Sequence, residues 1–187
     1  MSKIIAIMLL LCCGMMLFGC ADDNGRRKAE QQKTIVVTDS VGRKVELPYP
    51  LERVAVCNVY NAELITAVGA IDKIVGVDNY IFKDQSGFKN RFNEAQVFGI
   101  SQNAMNYEKL AELAPQAVII TGEGTWRDAQ EMLDRFGIKV IVINSYYTDQ
   151  FADNCRLIGR IFGREEQAEE LVNYFNDKLA YIQKQLQ

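Results

Sequence analysis

Short runs of β-branched and aliphatic residues alternate with amphipathic segments along most of the chain, and this alternation constrains the fold more than any other feature. Each run precedes a helical segment or a polar loop; the runs are RVAVC (53–57), KIVGV (73–77), QVFGI (96–100), AVIIT (117–121) and KVIVIN (139–144). Continuous apolar strands separated by amphipathic helices are typical of a parallel sheet that is covered on both faces. The sequence therefore predicts an α/β lobe over residues 34–162 with a mostly parallel sheet, which begins with a small hairpin at residues 34–48.

The last segment of the chain, from Phe162 to Gln187, has the pattern of one long helix. Its apolar residues recur at steps of three and four, the spacing of one helical face: Ala168, Leu171, Val172, Phe175, Leu179, Ile182 and Leu186. Glu165 and Glu166 fall in the first turn, where the helix dipole favours acidic side chains, and Lys184 falls near the other end. Three interpretations fit this pattern: a surface helix packed on its own domain, a strut between two domains, or a short coiled coil.

The N-terminus has the composition of an export signal. Lys3 precedes an apolar run at residues 4–18, which is shorter than the about 20 residues that a membrane-spanning helix needs. The run ends in Leu17-Phe18-Gly19-Cys20, close to the pattern at which bacterial lipoproteins are cleaved and a diacylglycerol is attached to the cysteine thiol. We expect residues 1–19 to be a signal peptide, Cys20 to carry the lipid anchor and the polar residues 20–33 to form a flexible linker. An uncleaved anchor helix is the alternative, and both arrangements tether the domain outside the cytoplasmic membrane.

Charge and residue usage argue against several classes of function. The chain has 24 acidic and 21 basic residues, a formal charge of −3, which argues against nucleic acid as a partner. It contains no histidine, which excludes histidine metal sites and the catalytic pairs in which histidine activates serine or cysteine. No pair of carboxylates has a spacing that predicts general acid–base partners. We interpret Cys57 and Cys155 as buried thiols, with a disulfide between them as the alternative.

Polar and aromatic side chains follow the predicted strands at their carboxyl ends, where open α/β sheets bind ligands. The segments concerned are NVYN (58–61), DNY (78–80), SQN (101–103), TGEGTW (121–126) and NSYYT (144–148). Aromatic rings mixed with amides and hydroxyls suit a large, partly apolar small molecule that is held by stacking and hydrogen bonds. Plain loop packing is the alternative for each aromatic residue in these segments: Tyr60, Tyr80, Trp126, Tyr146 and Tyr147. The glycines of TGEGT leave open a phosphate site, although an ordinary turn fits that segment better.

Three stretches of the sequence carry a resemblance to a known family. They are TDSVGRKVELPYPLERVAVCNVYNAELITAVGAIDKIVGVDNY (38–80), NYEKLAELAPQAVIIT (106–121) and LIGRIFGREEQAEELVNYFNDKLAYI (157–182). In this order they resemble the substrate-binding lipoproteins of ABC importers for iron–siderophores, haem and cobalamin, and the likeness extends from about Thr34 to the end of the chain. Gln116 departs from the family pattern, which usually has Asp after the proline of the second stretch.

The resemblance implies two α/β lobes that are joined by one long helix and enclose a ligand cleft. Carried over by position, it implies a cleft lined by Asn58, Tyr60, Asn61, Tyr80, Ser101, Gln102, Thr121, Gly122, Asn144, Tyr146 and Tyr147. The pattern of aromatic residues in the loops adds Trp126 to the predicted ligand-binding residues. It also implies that Glu108 is a surface carboxylate that docks on an arginine of the permease, a pairing that can fix the register of two proteins. Residues 163–187 would then be the inter-lobe helix, with the second lobe absent from this sequence. On that interpretation, we expect Leu179, Ile182 and Leu186 to be more exposed than the apolar face of an amphipathic helix usually is.

The sequence thus predicts a lipid-anchored, extracytoplasmic solute-binding protein that captures a metal chelate and delivers it to an ABC permease. This interpretation includes no catalysis, no metal bound by the protein itself and no cofactor; its partners are the permease, the chelate and the membrane. A ferric siderophore, haem and a corrinoid remain alternatives for the ligand. The alternative function is that of a truncated or one-lobed lipoprotein that acts as an interaction or scaffold module outside transport.

Overall fold

The computed structural model describes residues 33–186, so the predicted signal peptide, Cys20 and most of the predicted linker lie outside the described part of the chain. The described part begins with an antiparallel hairpin of β1 (Thr34–Thr38) and β2 (Lys44–Pro48). Asp39 fastens the hairpin to the rest of the fold, because its buried carboxylate accepts hydrogen bonds from the Arg43 side chain and from the backbone N–H of Val142. The predicted hairpin is confirmed.

A parallel four-stranded sheet forms the centre of the domain. Its strands are β3 (Val54–Val56), β4 (Ile74–Val77), β5 (Ala117–Ile120) and β6 (Lys139–Val142), in the spatial order β4-β3-β5-β6. Nearly every residue of these strands is buried, as expected where both faces of a parallel sheet are covered. The predicted fold class, an α/β lobe with a parallel sheet, is confirmed.

Helices follow the strands as the amphipathic segments predict. They are α1 (Val59–Ala67), α2 (Asn79–Lys83), α3 (Tyr107–Leu113), α4 (Trp126–Asp134), α5 (Phe151–Phe162) and α6 (Glu165–Gln185). Short 3₁₀ turns lie at Ile71–Lys73, Glu94–Gln96 and Thr148–Gln150. None of the helices within residues 33–186 is long and apolar enough to span a membrane.

The segment QVFGI (96–100) is not the strand that its composition predicts. It makes only isolated bridges, Val97 beside Val77 and Gly99 opposite Met105. At Gly99 the backbone folds onto the segment that follows, since a Cβ there would lie 2.4 Å from the carbonyl oxygen of Ala104. This close approach turns the chain into a tight loop before a strand can extend, so the four-stranded sheet ends at β4 on this side.

Alternate residues of each strand point to opposite faces of the sheet and build two apolar cores. On one face, Val54, Val56 and Ile119 pack with residues of α1, α5 and the start of α6. On the other face, Ala55 and Val118 pack with residues of α3 and α4. The sheet is therefore covered by helices on both faces, and the ends of its strands remain available for a site.

The junction between α5 and α6 is tightly packed. Gly163 ends α5 with a positive φ of 64°, a conformation that suits glycine. A Cβ on Gly159 would lie 2.5 Å from the Cβ of Ala168, so the two helices approach each other as closely as a glycine allows. A salt bridge from Arg156 to Glu169 also joins them, with an N–O distance of 2.6 Å.

Beyond this junction α6 leaves the core. Ala168 and Val172 are its buried residues, whereas Leu179 is 42%, Ile182 51% and Leu186 82% exposed. The expected exposure of these three apolar side chains is confirmed. The division of the chain into a lobe at residues 34–162 and an inter-lobe helix at residues 163–187 stays a prediction.

Candidate ligand-binding site

A pocket of about 620 Å³ lies at the carboxyl ends of the central strands. We call it the strand-end pocket. Its walls come from the loops after β3, β4 and β5, from the start of α1 and from the loop before α3. The lining residues are Asn58, Val59, Tyr60, Glu63, Asp78, Tyr80, Ser86, Ser101, Gln102, Asn103, Thr121 and Glu123. Its location agrees with the rule that open α/β sheets bind ligands where their strands end. Of the residues predicted from the sequence, the pocket brings together Asn58, Tyr60, Tyr80, Ser101, Gln102 and Thr121.

Asp78 holds two walls of the pocket together. Its buried carboxylate accepts the backbone N–H of Ile81 at 2.9 Å, which caps α2, and the backbone N–H of Asn58 at 3.1 Å. Burial raises the pKa of this carboxyl, and the hydrogen bonds from Ile81, Asn58 and Tyr80 counteract part of that rise. The loops after β3 and β4 are therefore fixed to each other through one side chain.

Asn58 itself stands in a strained backbone conformation, with φ 77° and ψ 127°. Its side-chain oxygen accepts the backbone N–H of Tyr60 at 2.9 Å and so caps α1. Non-glycine residues rarely adopt such a φ, and strained residues of this kind concentrate at functional sites. The strain occurs at the point where the chain passes from β3 into the wall of the strand-end pocket.

Gln102 joins the two loops that form the opposite wall of the pocket. Its side-chain oxygen accepts both the backbone N–H and the hydroxyl of Thr121, at 2.9 and 2.8 Å, and its amide nitrogen donates to the carbonyl of Glu123. Glu123 in turn accepts the Tyr146 hydroxyl at 3.1 Å. The loop before α3 and the loop after β5 thus form one hydrogen-bonded surface.

A second network lies behind the pocket walls. The side-chain oxygen of Asn144 accepts the backbone N–H of Gly122 at 2.7 Å, and its carbonyl accepts the side chain of Asn154. Asn61 is fully buried, where it donates to the carbonyl of Cys57 and accepts the Ser145 hydroxyl at 2.6 Å. Neither Asn61 nor Gly122 lines the pocket, and both fix the loops that do.

The aromatic residues fall into three groups. Tyr60 and Tyr80 line the pocket and are 55% and 62% exposed, so their rings are available to a ligand. Tyr146 and Tyr147 lie outside the pocket lining, with ring centroids 4.3 Å apart. Burial, together with hydrogen bonds to Tyr147 and Glu123, raises the pKa of Tyr146 well above its ordinary value.

Trp126 forms the third group and is not among the residues that line the strand-end pocket. It is buried in the core on the α4 face, and the guanidinium groups of Arg43 and Arg127 lie 4.3 and 4.2 Å from its ring centroid. Through its contact with Arg43, the ring packs the hairpin against α4. These contacts favour the alternative for Trp126, namely that its ring packs within the protein and does not bind a ligand.

Two residues of the lining, Glu63 and Ser86, lie outside the segments singled out from the sequence. Four more lie within those segments but are not among the predicted ligand-binding residues: Val59, Asp78, Asn103 and Glu123. Two signals could have identified members of this set. Asp78 precedes a helical segment and is a typical N-cap, and Glu63 lies three residues after Tyr60, the spacing that places two side chains on one face of a helix. A smaller apolar pocket of about 220 Å³ adjoins this wall and shares Tyr60 and Glu63.

The remaining residues singled out in the sequence lie elsewhere. Glu108 is exposed in the first turn of α3, outside the strand-end pocket. Cys57 and Cys155 are free and buried, which confirms the interpretation as buried thiols; burial, and to a smaller extent Asp78, raises the pKa of Cys57. Among residues 33–186, no group of three or more cysteine or carboxylate side chains is arranged to hold a metal ion.

The fold and the pocket together define a class of protein: an α/β lobe with an open pocket at its strand ends. The family model described as "Periplasmic binding protein" matches residues 54–187. The chain therefore belongs to the periplasmic binding protein family, a family of extracytoplasmic binding proteins rather than enzymes. The predicted family resemblance is confirmed. A search among curated proteins finds no significant match.

Several solved structures share this fold. A periplasmic solute binding protein from Veillonella parvula DSM 2008 shares 28% identity with a TM-score of 0.67 over 81% of this chain and 48% of its own. Staphylococcus aureus SirA, complexed with staphyloferrin B, shares 21% identity with a TM-score of 0.66 over 81% of this chain and 50% of its own. The triscatecholate siderophore binding protein FeuA from Bacillus subtilis shares 16% identity with a TM-score of 0.64 over 79% and 50%. This chain therefore spans about half the length of these proteins.

Proposed function

We propose that the chain is a solute-binding lipoprotein of an ABC importer and that the strand-end pocket captures a metal chelate. The observation that carries the proposal is the pocket itself: about 620 Å³ at the strand ends, with two exposed tyrosine rings beside amide and hydroxyl groups. Rings and hydrogen-bonding groups of this kind suit the organic shell of a chelate, which is broad and partly apolar. The siderophore complexes of SirA and FeuA, which have the same fold, support this ligand class.

Titration of the purified chain with candidate chelates tests the proposal. Ferric siderophores, haemin and cobalamin are each added while bound ligand is measured by absorbance after gel filtration. We expect at least one of them to bind, and we expect Tyr60→Ala and Tyr80→Ala to weaken binding by about 2- to 10-fold, the loss of one stacking contact of about 0.5–1.5 kcal/mol. Tyr181→Ala is the matched control, because Tyr181 is 64% exposed on α6, outside the pocket lining. Failure of every chelate to bind would contradict the proposed function.

Delivery to a permease is the second part of the proposal, with Glu108 as the docking carboxylate. Glu108 is exposed at the start of α3 and takes part in none of the ion pairs found within residues 33–186. An unpaired, protruding carboxylate can form a bidentate pair with an arginine of the partner. We expect Glu108→Gln to leave chelate binding unchanged and to reduce stimulation of the reconstituted permease's ATPase. Glu131→Gln on α4 is the control, and an equal effect of the two variants would contradict the assignment.

Tethering through Cys20 completes the proposal. Its support is the sequence pattern at Leu17–Cys20 together with the extracytoplasmic family. Mass spectrometry of the chain purified from membranes should find cleavage before Cys20 and a diacylglycerol on its thiol. Cys20→Ala should release the protein from the membrane fraction; retention of that variant would favour an uncleaved anchor helix instead.

A second candidate function is an interaction module that does not deliver a ligand. The exposed apolar side chains at the far end of α6, among them Ile182 and Leu186, favour it. The same titration separates the two candidates. Chelate binding that depends on Tyr60 and Tyr80 supports capture, whereas a folded chain that binds none of the chelates supports the module.

A further inference from the structure

The strand-end pocket has an uneven distribution of charge. Glu63, Asp78 and Glu123 line it, and the lining contains no lysine or arginine. An open cleft with one sign of charge on its walls favours ligands of the opposite sign and repels ligands of the same sign. The sign of the charge on the pocket walls therefore influences which chelate the pocket binds.

The three carboxylates differ in how far they are neutralised. Asp78 is buried and is satisfied by backbone N–H groups, so it has little remaining influence on a ligand. Glu63 and Glu123 are exposed and take part in none of the ion pairs found between residues 33 and 186. Glu123 accepts a hydrogen bond from the uncharged hydroxyl of Tyr146, which leaves its charge in place. Two uncompensated negative charges thus remain on the pocket wall.

We propose that this pocket selects chelates of positive or zero net charge and discriminates against anionic ones. The inference rests on the proposed function and narrows its ligand class. Ferric trihydroxamates with a free ammonium group and cobalt(III) corrinoids with a water ligand are cationic, whereas ferric triscatecholates are strongly anionic. At about 6–8 Å in a solvated cleft, each carboxylate changes the affinity for a unit charge by roughly two- to fourfold.

Matched ligand pairs isolate the effect of charge from that of shape. Ferrioxamine B carries a free ammonium group, and its N-acetylated form has the same iron centre without that charge. Aquocobalamin and cyanocobalamin differ in the same way at the axial ligand. Binding of each pair to the purified chain is measured by calorimetry at low salt, together with ferric enterobactin and haemin as anionic probes.

We expect the cationic member of a bound pair to bind more tightly than its neutral partner, by about 4- to 16-fold for the two carboxylates combined. The double variant Glu63→Gln/Glu123→Gln should abolish this preference, and added salt should weaken it because charges in an open cleft are screened. The double variant Glu131→Gln/Glu170→Gln removes two exposed glutamates outside the pocket and controls for net charge. It should retain the preference.

The outcomes separate the inference from the proposed function. Binding of the anionic probes alone, or a pair bound without preference, would overturn the inference and leave chelate capture standing. A preference that survives Glu63→Gln/Glu123→Gln would also overturn it, because the carboxylates would not be its cause. Binding of no probe at all would overturn chelate capture and the inference with it.

Discussion

Replacement of Asp78 by alanine is the sharpest test of how the strand-end pocket is held together. The substitution removes the acceptor for two backbone N–H groups, that of Ile81 at 2.9 Å and that of Asn58 at 3.1 Å. A buried donor left without a partner costs about 1–3 kcal/mol, and the half-exposed Asn58 falls at the lower end of that range. Relief of the buried charge offsets part of the loss. We expect Asp78→Ala to lower the free energy of unfolding by ~1–3 kcal/mol.

The isosteric variant Asp78→Asn separates hydrogen bonding from charge. It keeps one acceptor oxygen, so its cost should be smaller, ~1–2 kcal/mol. The folded-state pKa of Asp78 is raised, so the folded chain holds this proton more tightly than the unfolded chain. The stability that this group contributes is therefore fully present below the ordinary aspartate pKa of about 3.9 and is lost as the pH rises through the raised folded pKa. Relative to Asp78→Asn, the unsubstituted chain should lose stability over that window.

Urea unfolding followed by circular dichroism measures both effects. At a slope of about 1–3 kcal/mol per molar urea, Asp78→Ala should shift the midpoint by roughly 1–2 M. Asp177→Ala is the control, because Asp177 is exposed on α6, and it should stay within about 0.5 kcal/mol of the unsubstituted chain. A change for Asp78→Ala as small as that of the control would refute the view that this carboxylate joins the two loops.

Three further predictions concern α5 and α6. Gly159→Ala should destabilise the fold by about 1–3 kcal/mol in urea unfolding, because the new Cβ would lie 2.5 Å from that of Ala168; an unchanged midpoint would show that the helices can separate at no cost. Glu169→Gln should lower stability at neutral pH, and its difference from the unsubstituted chain should shrink as the pH falls below the ordinary glutamate pKa of about 4.3. The hydrogen bond and charge of Arg156 lower the pKa of Glu169, so the stabilisation is present above the ordinary glutamate pKa and is lost as the pH falls through the lowered one. A difference of the same size at neutral and acidic pH would contradict this pairing. Leu179→Gln should leave the unfolding midpoint within about 0.5 kcal/mol, because the side chain is already 42% exposed; a large loss would mean that α6 packs there.

The parallel sheet could be predicted because each of its strands has its own pattern in the local sequence. Each of the buried strands β3 to β6 is a continuous apolar run, and such runs are typical of parallel strands whatever the rest of the fold. QVFGI (96–100) has the same composition but turns at Gly99, where the chain folds onto Ala104. That contact depends on the loop that follows, so composition alone could not reveal it.

The site was predictable in part for the same reason. Tyr60, Tyr80 and Thr121 follow the ends of β3, β4 and β5, and the order of elements brings those ends to one edge of the sheet. Trp126 also follows a strand, but its environment depends on Arg43 from the distant hairpin. A contact between residues so far apart in the sequence leaves no local pattern. The charge on the pocket wall likewise depends on residues from separate loops that come together only in the fold.

The most direct test of chelate capture at the strand ends is a backbone amide NMR titration of the purified chain with a gallium chelate, which replaces the paramagnetic iron. Capture predicts chemical-shift changes confined to the loops of the strand-end pocket, at residues 58–63, 78–80, 101–103 and 121–123, with the opposite edge of the sheet unaffected. The absence of shifts with every chelate tested, or shifts confined to α6, would contradict the account.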